Sequence, residues 1–218
     1  MKKILLLIVL SFVFSNCEKK TDKYVYGIPE EDTSNLLLGL VVKPVLGLTS
    51  YGTIQDPVYR LEWKRCAQGQ VFRSATSDCQ GAQSSTEYTP FDGRYGAQVY
   101  TYCNLPGNFC NSLSLPMTLT NTSTTSEAYN TCASERLNGY TDWRVPTYVE
   151  LAAMAKASKF ALLTTFPNIP EDKFWSSTGN ENDSSGLTAR AVDFGVNYGD
   201  DAIVAKDTRL LVRCVRSY

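Results

Sequence analysis

The side chains that could do chemistry in this chain are its cysteines, carboxylates and arginines, because it contains no histidine. That absence removes Ser-His-Asp and Cys-His nucleophiles, imidazole general bases, and His-ligated zinc or haem. The cysteines are Cys17, Cys66, Cys79, Cys103, Cys110, Cys132 and Cys214. None are in a CxxC pair, which speaks against structural zinc and thiol-redox catalysis. The carboxylate pairs Glu30-Glu31 and Glu171-Asp172 fall in linker or loop sequence, and no GxSxG elbow, P-loop or GxGxxG occurs. The expectation is therefore a protein that is not an enzyme and holds no cofactor and no resident metal. One oxygen-rich loop, Gly179 to Gly186 with Glu181 and Asp183, is a weak calcium candidate, with Asp193, Asp200 and Asp201 further on. Its plainer reading is a solvated loop.

A second set is cationic. Arg190, Arg209, Arg213 and Arg216, with Lys206, crowd the C-terminal part of the chain. On one face their guanidinium forks would match the anionic oxygens of a sulfated polysaccharide. Spread along strands and paired with nearby acids, they would be ordinary surface charge. The whole chain carries 21 Lys+Arg against 22 Asp+Glu, a formal charge of −1, which excludes the basic excess of a nucleic-acid binder and weighs against a dominant polyanion site.

The N-terminus sets the compartment. Lys2 and Lys3 precede an apolar run, Ile4 to Phe14, broken only by Ser11. The run is too short to span a ~30 Å hydrocarbon core and suits a signal-peptide h-region. It ends in Phe14-Ser15-Asn16-Cys17, which resembles a relaxed bacterial lipobox. Residues 1–16 are then a lipoprotein signal peptide, and Cys17 is the lipidated first mature residue. Acyl chains stabilise membrane attachment by roughly 0.8 kcal/mol per buried methylene. Residues 17–49 read as a tether, charged and interrupted by Pro29, with Leu36 to Val45 a more apolar segment that is a strand or docks on the domain. Six cysteines remain in an exported chain, which suggests three disulfides among fifteen pairings that sequence alone does not resolve. Pro106-Gly107 marks a turn between Cys103 and Cys110.

The elements that must position these groups form one α+β domain, residues 50–218. Val58 to Trp63 alternates as a strand, Cys66 to Gln83 reads as irregular loop, and residues 84–124 read as loops with a short strand near Gln98 to Tyr102. Ser126 to Leu137 reads as a helix with Ser126 as N-cap and Gly139 just past its end. Thr147 and Glu150 have capping-box spacing for a second helix. Phe174 to Ser177, Ala189 to Val196, Ala202 to Lys206 and Arg209 to Arg216 read as strands, with a hairpin turn at Asn197 to Asp200.

Four blocks carry a resemblance: Leu61 to Gln70 with Cys79-Gln-Gly81; Gly139-Tyr-Thr-Asp-Trp143-Arg-Val-Pro-Thr147 with Glu150-Leu151; Phe174-Trp175-Ser-Ser-Thr178; and Ala191-Val-Asp-Phe194 through Val212-Arg-Cys214-Val-Arg216. Their order resembles the Lcl C-terminal domain family, over roughly residues 58 to 217. The resemblance implies a C-type-lectin-like fold, two helices flanking a small, twisted, mainly antiparallel sheet, loop-rich and disulfide-stapled. It implies a clip between first helix and last strand, Cys132–Cys214, leaving Cys66–Cys79 and Cys103–Cys110 as local pairs. Within these blocks Trp143, Arg144, Pro146, Glu150, Trp175, Asp193 and Phe194 read as motif core; Arg144 pairs with a carboxylate, Asp142 or Glu150, or with backbone carbonyls, and sugar stacking is the alternative role for Trp143 and Trp175. The family's named member is an adhesin for sulfated glycans, which favours Arg190, Arg209, Arg213 and Arg216 as glycan contacts. The Glu-Pro-Asn and Trp-Asn-Asp signatures of sugar-binding C-type lectins do not occur.

The expectation is an exported lipoprotein in the cell envelope, on the outer membrane and surface-exposed. It presents a binding domain to a sulfated glycan or surface protein through loops in 84–124 or 179–201, and touches no nucleic acid. The alternative is a structural envelope protein without a soluble ligand. Oligomeric state is open.

Overall fold

In the computed structural model, which describes residues 52–81, 93–120 and 125–218 together with three two-residue strand backbones, each α-helix starts at a hydroxyl side chain. Ser126 accepts from the Tyr129 amide to open α1, Glu127–Ala133. Thr147 and Glu150 complete a reciprocal capping box for α2, Tyr148–Ala155. Ser158 caps α3, Lys159–Thr165, by accepting from Ala161, and Pro167 follows its end. Such caps take up amides that have no partner inside the helix and contribute about 1 kcal/mol each. The third helix goes beyond the two expected. Its cap lacks the acidic partner that makes a box, and its Phe and Thr residues are weak helix formers.

Residues Met1–Leu37 form one unit, in which β1 (Tyr24–Val25) pairs antiparallel with β2 (Ile28–Pro29). The second unit, Leu38–Tyr218, carries the domain. Apart from these strand backbones and that of Gly47–Leu48, the predicted signal peptide, Cys17, the tether and the 36–45 segment lie outside the described residues. In the domain β3 (Gly47–Leu48), β4 (Thr53–Asp56) and β5 (Leu61–Lys64) form three strands of a four-stranded antiparallel sheet. β6 (Gln70–Arg73) and β7 (Asp78–Gly81) make a separate hairpin. β8 (Val99–Thr101), β9 (Lys173–Gly179), β10 (Thr188–Asp193), β11 (Asp201–Ala205) and β12 (Arg209–Leu211) form a five-stranded sheet in the order β11-β10-β9-β12-β8, with only β12 and β9 parallel. β13 (Val215–Ser217) closes the four-stranded sheet against β5.

Two expectations are corrected here. Within Cys66 to Gln83, Gln70 to Gly81 is not irregular loop: β6 and β7 pair across a tight turn at Ser77 (φ +56), held by two hydrogen bonds from Arg73 to the Asp78 carboxylate at 2.7 and 2.6 Å and by the Cys66–Cys79 disulfide. The strands are short and polar, so alternation alone did not mark them. Nor is Arg209 to Arg216 one strand. It leaves the five-stranded sheet at Leu211 and enters the four-stranded sheet at Val215, and the intervening Val212, Arg213 and Cys214 are buried.

The large sheet is covered on both faces. Successive strand residues point to opposite sides, so Phe174 joins a cluster with Trp63, Leu151, Phe166 and Phe194 while Trp175 joins one with Tyr102, Trp143, Val145 and Val212. Leu211 and Val212 divide the same way. Trp143 and Trp175 are fully packed, and their indole N–H groups donate to Leu137 O (3.3 Å) and Tyr100 O (2.9 Å).

The disulfides join Cys66 to Cys79, Cys103 to Cys110, and Cys132 to Cys214, the set the resemblance implies. The last closes a separation of 82 residues between α1 and the crossing segment. Removing it as Cys132→Ala/Cys214→Ala is expected to lower unfolding free energy by about 4–5 kcal/mol, read by guanidinium titration, through the larger entropy of the uncrosslinked unfolded chain. Removing Cys66 and Cys79 should cost about 3 kcal/mol.

Candidate functional site

The motif blocks meet one another rather than an open surface. Arg144 N–H donates to Val215 O and accepts through its own carbonyl from Val215 N–H, both at 2.9 Å, so the Trp-Arg-Val-Pro-Thr block is bridged to the last strand. The Arg144 guanidinium grips both oxygens of Glu150 at 2.8 and 2.7 Å, while Asp142 turns to Arg216 Nε at 2.8 Å. Pro146 O accepts from Ser177 N–H, and Thr178 Oγ1 accepts from the Tyr148 amide, which ties in the Phe-Trp-Ser-Ser-Thr block. Burial opposes ionisation of Glu150, yet the Arg144 fork and the Thr147 hydrogen bonds outweigh it and hold its carboxyl below the usual value of 4.5. Asp193 is buried and accepts from Gly195 N–H at 2.6 Å, and Phe194 packs edge-on against Phe174. These residues bond and pack against one another within the domain.

The arginines do not form one open cationic face. Arg190 is paired with Asp201 and stacked on the Tyr148 ring at 3.5 Å. Arg209 is paired with Glu127 at 3.1 Å and also donates to Val99 O. Arg216 spans Glu62 and Asp142 and lies over Tyr140 at 3.6 Å. Arg213 is corrected outright from a surface contact to a buried residue, 1% exposed. Its hydrogen bonds go to the Lys64 and Arg65 carbonyls, and its guanidinium lies 4.6 Å from the Phe166 ring. Lys206 is also buried, donating to Gly107 O at 3.0 Å and Asn111 Oδ1 at 2.6 Å.

In the oxygen-rich loop, the Asp183 carboxylate is taken by Ser185 and by the amide and hydroxyl of Thr188, which hold it well below the usual carboxylate range. Glu181 is exposed. Among the described residues no cluster of three or more metal-ligating side chains occurs.

What the structure does assemble is a half-open cleft of about 490 Å³. One wall is Gly93-Arg94-Tyr95, the other Asn168 to Asp172, with Leu163 of α3 at the side. Both walls use backbone conformations that side chains avoid: Tyr95 has φ +51 and Asn168 φ +57. Each such residue costs roughly 1–2 kcal/mol, tolerable for Asn and unusual for Tyr. The buried Gln70 amide fixes both. Its Nε2 donates to Asn168 O at 3.0 Å and, at longer range, to Arg94 O and Tyr95 O, while its Oε1 accepts from Ala67 N–H at 3.0 Å. Gly96 (φ +82) lies directly on Gly81, where an added Cβ would sit 2.2 Å from the Gly81 Cα, so only glycine lets the Tyr95 wall rest on the β6–β7 hairpin. Arg94 and Asp172 approach to 3.7 Å across the cleft. No motif marks these residues. The available sequence signals were Gly93-Arg-Tyr-Gly96 as a turn and Pro167-Asn168 after a helix.

Residues 52–216 match the Lcl C-terminal domain family, and the chain belongs to that family. No curated protein matches the chain.

Two outcomes test this geometry. Gln70→Leu should destabilise by about 2–4 kcal/mol in urea unfolding, because it strands the Asn168 carbonyl and Ala67 amide. Glu150 is more acidic folded than unfolded, so its stabilisation is present above pH 4.5 and lost as pH falls through its lower native value. Glu150→Gln should therefore cost about 1–3 kcal/mol at pH 7 and flatten the acid limb of the stability–pH curve below pH 4.5.

Proposed function

We propose that the protein is an exported, lipid-anchored binding protein of the cell envelope whose C-type-lectin-like domain holds a glycan in the Gly93–Tyr95/Asn168–Asp172 cleft, without catalysis. The observation that carries this reading is the strained pair Tyr95 and Asn168, held in unfavourable backbone conformations on facing walls of one cleft. Strain of this kind persists where surrounding structure maintains it, and it concentrates at ligand-binding sites. The volume lies within the usual range for small-ligand pockets. Asn168, Arg94, Glu171 and Asp172 offer planar groups suited to vicinal hydroxyls, with Tyr95 as an apolar ring. The lining carries one cation against two carboxylates, so a neutral sugar suits it better than a sulfated one. The pairing of Arg190, Arg209 and Arg216 and the burial of Arg213 support the same preference. The C-type-lectin-like assignment is supported by family membership and by the Cys132–Cys214 clip. Export and lipidation at Cys17 are supported by the N-terminal pattern and by three disulfides, which persist in oxidising compartments.

A glycan array probed with the full chain, followed by calorimetry, tests the reading. Affinity for a neutral oligosaccharide should change little between about 50 mM and 200 mM salt, whereas a polyanion site loses affinity steeply. Tyr95→Ala and Asn168→Ala should each weaken it by about ten-fold or more, with near-UV circular dichroism unchanged. Salt-sensitive heparin binding that survives both substitutions would overturn the assignment.

A further inference from the structure

We propose that the two consecutive loops between Cys103 and Thr118 insert their tips into the surface of a lipid bilayer, a contact separate from the cleft and from any lipid at Cys17. In a chain that is 20% charged, no charged residue occurs between Arg94 and Glu127. Within that interval Phe109 is 63% exposed, Leu113 92% and Leu115 72%. Phe109 and Leu113 are four residues apart and thus within about 14 Å. Single apolar side chains this exposed also occur elsewhere, at Phe160 and Val196, but several of them close together on one uncharged stretch are the kind of patch that marks an interaction surface.

The tips are rigidly presented. The Cys103–Cys110 disulfide closes the first loop, and Lys206 pins it through Gly107 O and Asn111 Oδ1. The second loop is closed by Ser112, whose amide donates to Thr118 O at 2.8 Å. The Ser112 hydroxyl serves Ser114 O, Pro116 O and the Thr118 amide. Thr118 is bridged in turn to Thr178 of β9.

This construction favours a bilayer over a pocketed partner. Closed loops hold their exposed apolar side chains at fixed positions, and a fluid interface conforms to such a surface more readily than a preformed pocket does. Without charge there is no ion to desolvate, and the internal bonds around Ser112 lower the cost of taking the backbone to the acyl boundary. The flanking Asn, Ser and Thr residues can remain among headgroups while the apolar tips reach some 5–10 Å in. The adjacent loop carries Glu181 and Asp183, and it abuts the first loop where Gly186 meets Asn108. Those acids favour a zwitterionic surface over an anionic one.

The test places a reporter at the tip. Leu113→Trp in the full chain is mixed with phosphatidylcholine vesicles carrying bromine on their acyl chains. The native Trp63, Trp143 and Trp175 are buried, so the difference from the unsubstituted chain isolates position 113. The apolar Ile4 to Phe14 stretch can hold the chain on vesicles in any case, and the local signal reports insertion separately. Insertion predicts a blue-shifted emission quenched by about two-fold or more, diminished by adding Phe109→Asn and Leu115→Asn, and unchanged by Tyr95→Ala. A solvent-like, unquenched emission on vesicle-bound protein would overturn the proposal. So would a blue shift that grows with protein concentration in the absence of lipid, which would assign the tips to a second copy of the chain.

Discussion

The structure depends on one crossing. Val212, Arg213 and Cys214 carry the chain from the five-stranded sheet to the four-stranded one, and every neighbouring element grips them. Val212 O accepts from Gln68 N–H, Cys214 O accepts from Lys64 N–H, and Cys214 is bonded to α1. Arg213 is buried at this point with two carbonyl acceptors, the Phe166 and Phe174 rings at 4.6 and 5.8 Å, and an Nε that finds no partner. Burial pushes its pKa down to about 9, and the guanidinium still stays charged near neutrality. Desolvating such an ion costs several kcal/mol. Charge-assisted bonds contribute about 1.5–3 kcal/mol each and cation–π contact about 2. The terms nearly cancel for the placed ion, but truncating it would leave the Lys64 and Arg65 carbonyls without their donor and a cavity beside Phe166, so the substitution costs stability.

The cleft inherits its shape from that crossing. Gln68, held by Val212, accepts through its own carbonyl from Gln98 N–H at 2.9 Å. One residue earlier, Ala97 N–H closes the turn onto Arg94 O. Gln70, two residues beyond Gln68, holds both cleft walls with one amide. A short hydrogen-bonded chain thus runs from the seam to Tyr95 and Asn168. The family motif belongs to the same framework: its blocks are bridged to each other through Arg144 and Val215.

Local chemistry was legible in the sequence. Ser126 and the Thr147/Glu150 box act within three residues of themselves, so their helices could be read directly, and the strands around Phe174 and Ala189 stood out by their apolar runs. The disulfide pairing was legible only through family resemblance, because nothing local relates Cys132 to Cys214. The features that escaped are long-range. Arg213 looks like the exposed Arg209 until the chain is seen to change sheets there. Tyr95 and Asn168 carry no motif, because their conformations are imposed by a glutamine amide and a glycine contact far away in sequence. The β6–β7 hairpin escaped because its strands are short and polar.

If the crossing holds both sheets and the cleft wall together, they should open as one cooperative unit. Native-state hydrogen exchange with and without Arg213→Ala measures this directly. The account predicts that amides of Trp63 in β5, Val192 in β10 and Ala97 beside the cleft share one opening free energy, and that the substitution lowers all three alike. Loss of protection confined to β5, with Val192 and Ala97 unchanged, would contradict it.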